Sequence, residues 1–247
     1  MARIAEQAER YEDMKKYIKL VATAIPEGQS RVSLSLEERN LFSLAYKDLI
    51  SSKRNAWRVL FSIQQKSSGD DSIDSSIADL KGKIEKEIEQ LCQEVQTVIS
   101  EHLLRGLCVD SSSVDDFIYY MKMKGDYYRY EAEFMVGDAQ LVAIEKSRKW
   151  YCFVRALIFS YREALKEAEN LQVSDVNPTL LGLYLNYSVF LYEITHQSEE
   201  ARAMATKAFE NAMKMLENLP EKDYQDSVSI LQLIRDNLRL WESEADH

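Results

Sequence analysis

The chain has 247 residues, 46% of them hydrophobic, with only 7 glycines and 3 prolines. It can bury a large core but lacks the turn chemistry of a many-stranded sheet, so it reads as long helices. Its net charge of −10, from 41 acidic against 31 basic residues, excludes general nucleic-acid or anionic-membrane binding, because both draw on summed positive potential.

The opening segment, Ala2 to Ala24, places Ile4, Ala8, Tyr11, Ile18 and Val21 at helical spacing and stops before Pro26, so it reads as one helix. It has no apolar leader, and no long uncharged apolar run follows, which points to a cytoplasmic protein with the nucleus as a second compartment. Ser35 as N-cap and Glu38 three residues on form a capping box that starts a helix running to about Gln65. The stretch KSSGDDSIDSS is a loop by composition, and a long helix follows from Ile77 to Leu104.

Leu107 to Ser113 reads as a second loop, Val114 to Met135 as an aromatic helix, and Gly137-Asp138 as a break. A long helix from Gln140 to Leu171 ends in the turn VSDVNPT, where Pro178 favours an extended Asn177. Thr179 to Thr195, Ser198 to Leu216 and Tyr224 to Glu242 close the series. About nine helices joined by short links imply antiparallel neighbours in a single all-α domain over 1–247.

Motifs for chemistry are poor. Asp70, Asp71 and Asp74 match DDxxD but stand in a serine-rich stretch without a second acidic motif. The same stretch fails as a calcium loop, with Ser75 for the glycine and Lys81 for the bidentate glutamate. His102, His196 and His247 have no context placing them beside a serine or cysteine. Cys92, Cys108 and Cys152 show no CxxC spacing and read as small buried apolar residues. No catalytic residue, metal or cofactor is expected.

Against the acidic background, Lys47 and Arg54, seven residues apart on one helical face, and the Arg129-Tyr130 pair in KMKGDYYRY make a cationic cluster. Lys122, Asp126, Arg129, Tyr130 and Glu133 share another face, where Asp126 can steer a cation. Guanidinium forks, an ammonium and a phenol suit a phosphate, so phosphoserine is the leading ligand. Two later helices each carry a core stripe (Leu183, Tyr187, Phe190, Ile194; Leu231, Ile234, Leu238) and a second one left over. The spare stripes, Leu185, Asn186, Val189 and Glu193, then Ile230, Leu233, Asn237 and Trp241, offer amides and an aliphatic wall to an extended peptide.

RNLFSLAYKDLISSKRNAWRV, MKMKGDYYRYEAEF, LGLYLNYSVFLYEI and DSVSILQLIRDNLRLWES resemble the signature segments of 14-3-3 proteins, and AEQAERYEDM resembles their dimer-forming first helix. The resemblance spans most of the chain. It implies nine antiparallel helices in an L-shaped protomer with a concave amphipathic groove, a cup-shaped dimer, and a non-enzymatic adaptor that clamps phosphoserine or phosphothreonine clients. A helical scaffold indifferent to phosphorylation is the alternative.

By position in the matching motifs, Lys47, Arg54, Arg129 and Tyr130 would hold the phosphate with Lys122 nearby. Asn186 and Asn237 would bond the peptide backbone, Glu193 would support the groove, and Leu185, Val189, Ile230, Leu233 and Trp241 would form its wall. At a homodimer interface, or a heterodimer with a paralogue, Ile4 and Ala8 would face Leu60, Ile63 and Leu80. Arg10 would pair with Glu87 and Asp13 with Lys83 across it. The chain departs from the family pattern in a longer link around Pro26 and Gly28, an aromatic insertion within Gln140 to Ser160, Ser229 in place of a leucine, and Tyr184 in place of a small residue.

Overall fold

A computed structural model describes residues 1–25, 32–66, 71–136, 143–216 and 221–245. Within them lie nine α-helices and no strand: α1 (Ala2–Gln7), α2 (Tyr11–Thr23), α3 (Leu36–Lys66), α4 (Asp71–Val98), α5 (Val114–Val136), α6 (Ala143–Asn170), α7 (Pro178–Glu193), α8 (Ser198–Met215) and α9 (Glu221–Ala245). A π-helical turn, Ile99–Leu103, follows α4 and is closed by the Leu104 N–H on the Ile99 carbonyl at 2.8 Å. No described helix is long and apolar enough to cross a membrane.

Local chemistry accounts for the helix starts. The Ser35 N–H and hydroxyl each donate to Glu38 Oε2 at 2.9 Å, while the Glu38 N–H returns to Ser35 Oγ at 3.3 Å, completing the capping box. Asn177 is extended at φ −63° and ψ 123°, and its side chain accepts the Leu180 N–H at 3.1 Å, with Pro178 as the first helical residue. Before α5, Asp110 Oδ1 accepts the N–H groups of Ser112 at 2.9 Å and Ser113 at 3.0 Å, an Asx turn that aims the chain into Val114.

Two expectations change. The opening stretch is two helices, because Glu9 adopts φ 53°. The Glu9 N–H bonds the Glu6 carbonyl and the Arg10 N–H the Ala5 carbonyl at 2.8 Å, which is a Schellman ending. A left-handed non-glycine residue costs about 1 kcal/mol, offset by these two bonds. Likewise α4 begins at Asp71 and not at Ile77, so the Asp-Ser run is helical. Carboxylates suit a helix N-terminus, and Ser76 Oγ donates back to the Ser72 carbonyl at 2.9 Å. Asp70 and the Gly137-Asp138 break lie outside the described residues.

Two compact units emerge, Met1–Leu107 with Tyr130–Trp150, and Cys108–Arg129 with Tyr151–His247. In the first, α2, α3 and α4 enclose Met14, Ile18, Phe42, Tyr46, Ile50, Ile88 and Cys92. Tyr46 donates to Glu94 at 2.6 Å, and Lys19 approaches the same carboxylate at 3.2 Å. In the second, Ala201, Ala205, Ala208 and Ala212 give α8 a small-residue seam that lets it close on Leu183, Tyr187 and Phe190 of α7. Each such large apolar side chain contributes about 1.5–3 kcal/mol by burial. Cys92 is buried as expected, but Cys108 is exposed on the loop before α5 and the Cys152 side chain lies outside the described residues.

Replacing Ser35 with alanine removes the capping box and should lower stability by about 1 kcal/mol. The urea midpoint should fall with an unchanged slope. An unmoved midpoint would show that the box contributes nothing.

Candidate anion and peptide site

Asp126 organises the second unit. It projects from α5 into the interior, where it is 7% exposed. Lys122, one turn earlier, puts Nζ 3.0 Å from Oδ2. Arg129, almost a turn later, holds Nη2 3.6 Å from Oδ1, an ion pair beyond hydrogen-bond length. From α7, Asn186 Nδ2 donates to both carboxylate oxygens at 2.7 and 2.9 Å. From α6, the buried Tyr161 hydroxyl donates to Oδ1 at 2.7 Å.

Two glycines make these approaches possible. A Cβ on Gly125 would lie 2.5 Å from Tyr161 Cε1, so only glycine lets that ring rest against α5. A Cβ on Gly182 would meet Lys122 Cε at 3.3 Å, close enough to crowd the lysine stem. The Tyr161 ring is wedged in turn against Tyr187, centroids 5.1 Å apart, whose hydroxyl accepts from Arg162 Nε at 3.2 Å.

Burial alone would raise the Asp126 pKa. The charges of Lys122 and Arg129 and the Tyr161 and Lys122 hydrogen bonds outweigh it and hold the carboxyl below its ordinary value. Burial and Asp126 push the Tyr161 phenol well up while Arg129 pulls the other way, so the hydroxyl stays a donor at neutral pH. One carboxylate against two cations leaves this cluster on α5 with a net positive charge.

Within the first unit, the Arg54 guanidinium lies over the Tyr130 ring, 4.2 Å from its centroid, a cation–π contact. Lys47 is exposed two helical turns earlier on α3. The expected phosphate set is therefore described as Lys47, Arg54 and Tyr130 in one unit and Lys122 and Arg129 in the other, with Arg129 and Tyr130 consecutive in the chain.

On α7, Leu183, Tyr187 and Phe190 are buried, and Leu185, Asn186 and Val189 form a half-buried second stripe ending at exposed Glu193. On α9, Leu231 and Ile234 are buried, Ile230 and Asn237 are half-buried, and Leu233 is 53% exposed. Trp241 differs from the expected open wall. It is 3% exposed and stacks on Tyr192 at 4.5 Å, while Tyr192 donates to Glu244 at 2.8 Å. The indole braces α7 against α9. Ser229 turns its hydroxyl back to the Gln225 carbonyl at 2.9 Å, and Tyr184 is half-buried.

The residues expected at a dimer interface lie in the first unit. Ile4 is 62% exposed, Ile63 and Leu80 are each 47% exposed, and Leu60 is half-buried. Val59, which the sequence reading did not single out, adds to this apolar surface. Within the chain, Arg10 pairs with Asp13 and Glu87 with Lys53, while Lys83 is exposed. Tyr161 was also missed, although a glycine inside a helix of so glycine-poor a chain is itself a signal of close approach. No group of described His, Cys, Asp or Glu residues has the arrangement of a metal site.

A family model described as 14-3-3 protein matches residues 1–242. The checkpoint signal transducer rad24 of Schizosaccharomyces pombe is 40% identical over 249 residues, covering 100% of this chain and 84% of its own length. The 14-3-3-like protein G-BOX factor 14 kappa of Arabidopsis thaliana is 42% identical over 250 residues, with coverage of 99% and 92%. The 14-3-3 protein 2 of Entamoeba histolytica is 39% identical over 246 residues, with coverage of 99% and 94%.

A depressed carboxyl pKa stabilises the fold above the unfolded-state value, and that contribution is lost as pH falls through the folded-state value. Asp126→Asn should therefore be destabilised at neutral pH, and its deficit against the native chain should shrink below about pH 4. Urea midpoints across that range measure it. A deficit of constant size would mean that the carboxylate charge is not the stabilising element.

Proposed function

The chain belongs to the 14-3-3 family, and on that premise we propose that Lys47, Arg54, Arg129 and Tyr130, with Lys122 beside them, take the phosphate of a phosphorylated client segment. It is a phosphopeptide-binding signalling adaptor. The observation that carries the residue assignment is the anchoring of Lys122, Arg129 and Asn186 on one buried carboxylate. A phosphoryl group brings about −1.5 to −2 charges and three acceptor oxygens, enough for several charge-assisted bonds.

Asn186 must turn its NH₂ group to Asp126, because a carboxylate only accepts. Its amide oxygen then points away and can accept a peptide N–H, with Asn237 on α9 as the second backbone contact. Leu185, Val189, Ile230 and Leu233 supply the apolar wall, braced by Trp241, and Glu193 supports its edge. Ser229, where the family resemblance implies a leucine, removes about 1–2 kcal/mol of wall where a peptide fully covers it. Client preference shifts accordingly toward segments with less apolar contact there.

Function follows from binding alone, within one domain spanning both units and without covalent chemistry. The surface of exposed Ile4, Ala8, Ile63 and Leu80 and half-buried Leu60 is covered by a second copy or a paralogue. In that pairing Arg10 exchanges Asp13 for Glu87, and Asp13 meets Lys83. Two sites on one dimer raise affinity for a doubly phosphorylated client about 10²–10⁴-fold when its linker spans both. One relative is named a checkpoint signal transducer, and the cytoplasm, with the nucleus as a second compartment, is the proposed location of this chain and its phosphorylated clients.

Arg129→Ala should weaken a phosphoserine peptide about 10–100-fold, to the level of its plain counterpart, with unchanged circular dichroism. Equal binding of phosphorylated and plain peptide by the native chain would favour a phosphate-independent scaffold. Glu87→Arg should weaken self-association in sedimentation, and adding Arg10→Glu should partly restore it. A single mutant that sediments as the native protein does would remove the pair from the interface.

A further inference from the structure

The open side of α2 continues past the two charges assigned above to a dimer interface. Arg10, Asp13, Tyr17, Leu20 and Val21 follow one another at three- and four-residue spacing along it, while Met14, Ile18 and Ala22 turn into the core. Leu20 is 61% exposed and Val21 39%, so this end of the helix holds aliphatic side chains in water.

A matching row lies on α4. Ile73, Ser76, Leu80, Lys83 and Glu87 share one side at the same spacing, with Ile73 52% exposed and Leu80 47%. Beyond Glu87 that side meets the chain's own α2, where Lys19 reaches Glu94 at 3.2 Å. Before Glu87 it stands open.

Taken in opposite directions, the two rows complement each other. Arg10 to Ala24 and Glu87 back to Ile73 span the same number of residues, about 21 Å of helix. The antiparallel order sets Arg10 on Glu87, Asp13 on Lys83 and Tyr17 on Leu80. Leu20 and Val21 then lie over the small Ser76, with Ile73 closing on Val21 and Ala24 from the next turn. A parallel order would set Arg10 on Ile73 and Ala24 on Glu87, charge against apolar at both ends.

From this match we infer that the seam with a second copy runs on along α2 to Leu20 and Val21, which α4 of that copy covers around its Ile73. The inference rests on the dimer reading proposed above and adds three residues that reading does not contain. Two-fold pairing repeats each contact, so the added seam occurs twice. It gives a partner to aliphatic groups that otherwise remain in water at the far ends of both rows.

Sedimentation of the full chain provides the test. Leu20→Lys and Ile73→Glu each set a charge against an apolar side chain in both repeats of the seam, and each should weaken self-association about 10–100-fold. Urea midpoints should stay with the native chain's, because both side chains already face water. Mixed in equal amounts, the two variants should associate about tenfold or more tightly than either alone. In the mixed pair one seam brings the introduced charges together and the other is native. With Cys108→Ser in every chain, a short bismaleimide should join Val21→Cys to Ile73→Cys, as read by mass spectrometry of the linked peptides. It should not join Val21→Cys to Lys86→Cys, which stands on another side of α4.

Native-like sedimentation of Leu20→Lys, where Glu87→Arg dissociates, would overturn the longer seam and leave the dimer reading standing. Weakening in each single variant without recovery on mixing would overturn the antiparallel order and the inference with it. A native chain that sediments as a monomer, or one that Glu87→Arg leaves unchanged, would remove the dimer reading as well.

Discussion

The arrangement in the second unit depends on keeping one carboxylate ionised inside the protein. Removing a charge from water costs several kcal/mol unless its lone pairs are met, so Asp126 has to gather donors from wherever the fold can provide them. Lys122 and Arg129 come from its own helix, Tyr161 from α6 and Asn186 from α7. Each of these side chains is thereby oriented before any ligand arrives. Preorganisation of this kind reduces the ordering cost of binding, and here it comes from satisfying a buried charge.

The surface proposed to face the peptide obeys a different constraint. Helices α7 and α9 each carry more apolar residues than one core face needs. Their deepest positions, Leu183, Tyr187, Phe190, Leu231 and Ile234, pack inward, which leaves Leu185, Val189, Ile230 and Leu233 partly open at a cost in exposed apolar area. Trp241 marks the boundary between the two roles. Its indole belongs to the packing by stacking on Tyr192, although its spacing places it on the open stripe. A large flat ring near a helix end gains more from a stacked neighbour than from water.

The first unit carries the complementary case. Its core of Phe42, Tyr46, Ile50 and Ile88 is closed, yet Ile4, Val59, Ile63 and Leu80 stay exposed. The ion pairs beside them, Arg10 with Asp13 and Glu87 with Lys53, are exposed and individually worth about 0.2–1 kcal/mol. Pairs this weak can be exchanged at little cost, so they suit a surface whose charge partners change on assembly.

Helix content, the Ser35–Glu38 box and the Asn177–Pro178 start were legible because they depend on residues within a few positions of one another. The break at Glu9 was not, since its Schellman ending uses a glutamate where glycine is the usual signal. The early start of α4 was missed because Asp and Ser serve a loop and a helix N-terminus equally well. The cationic residues and both asparagines were nameable from spacing and family resemblance, and Asp126 as a steering group from its helix face.

What the chain determined by itself was local: which segments are helical, which faces are apolar, and which cations share a face. The bonds that Tyr161 and Asn186 make to Asp126 span 35 and 60 residues of sequence. Short-range periodicity carries no information across such separations, and only the approach of α6 to the bare backbone at Gly125, and of α7 to Lys122 at Gly182, brings those groups to one oxygen. Tertiary structure therefore decided how the cations are held, because satisfying a buried charge depends on distance in space and not on order along the chain.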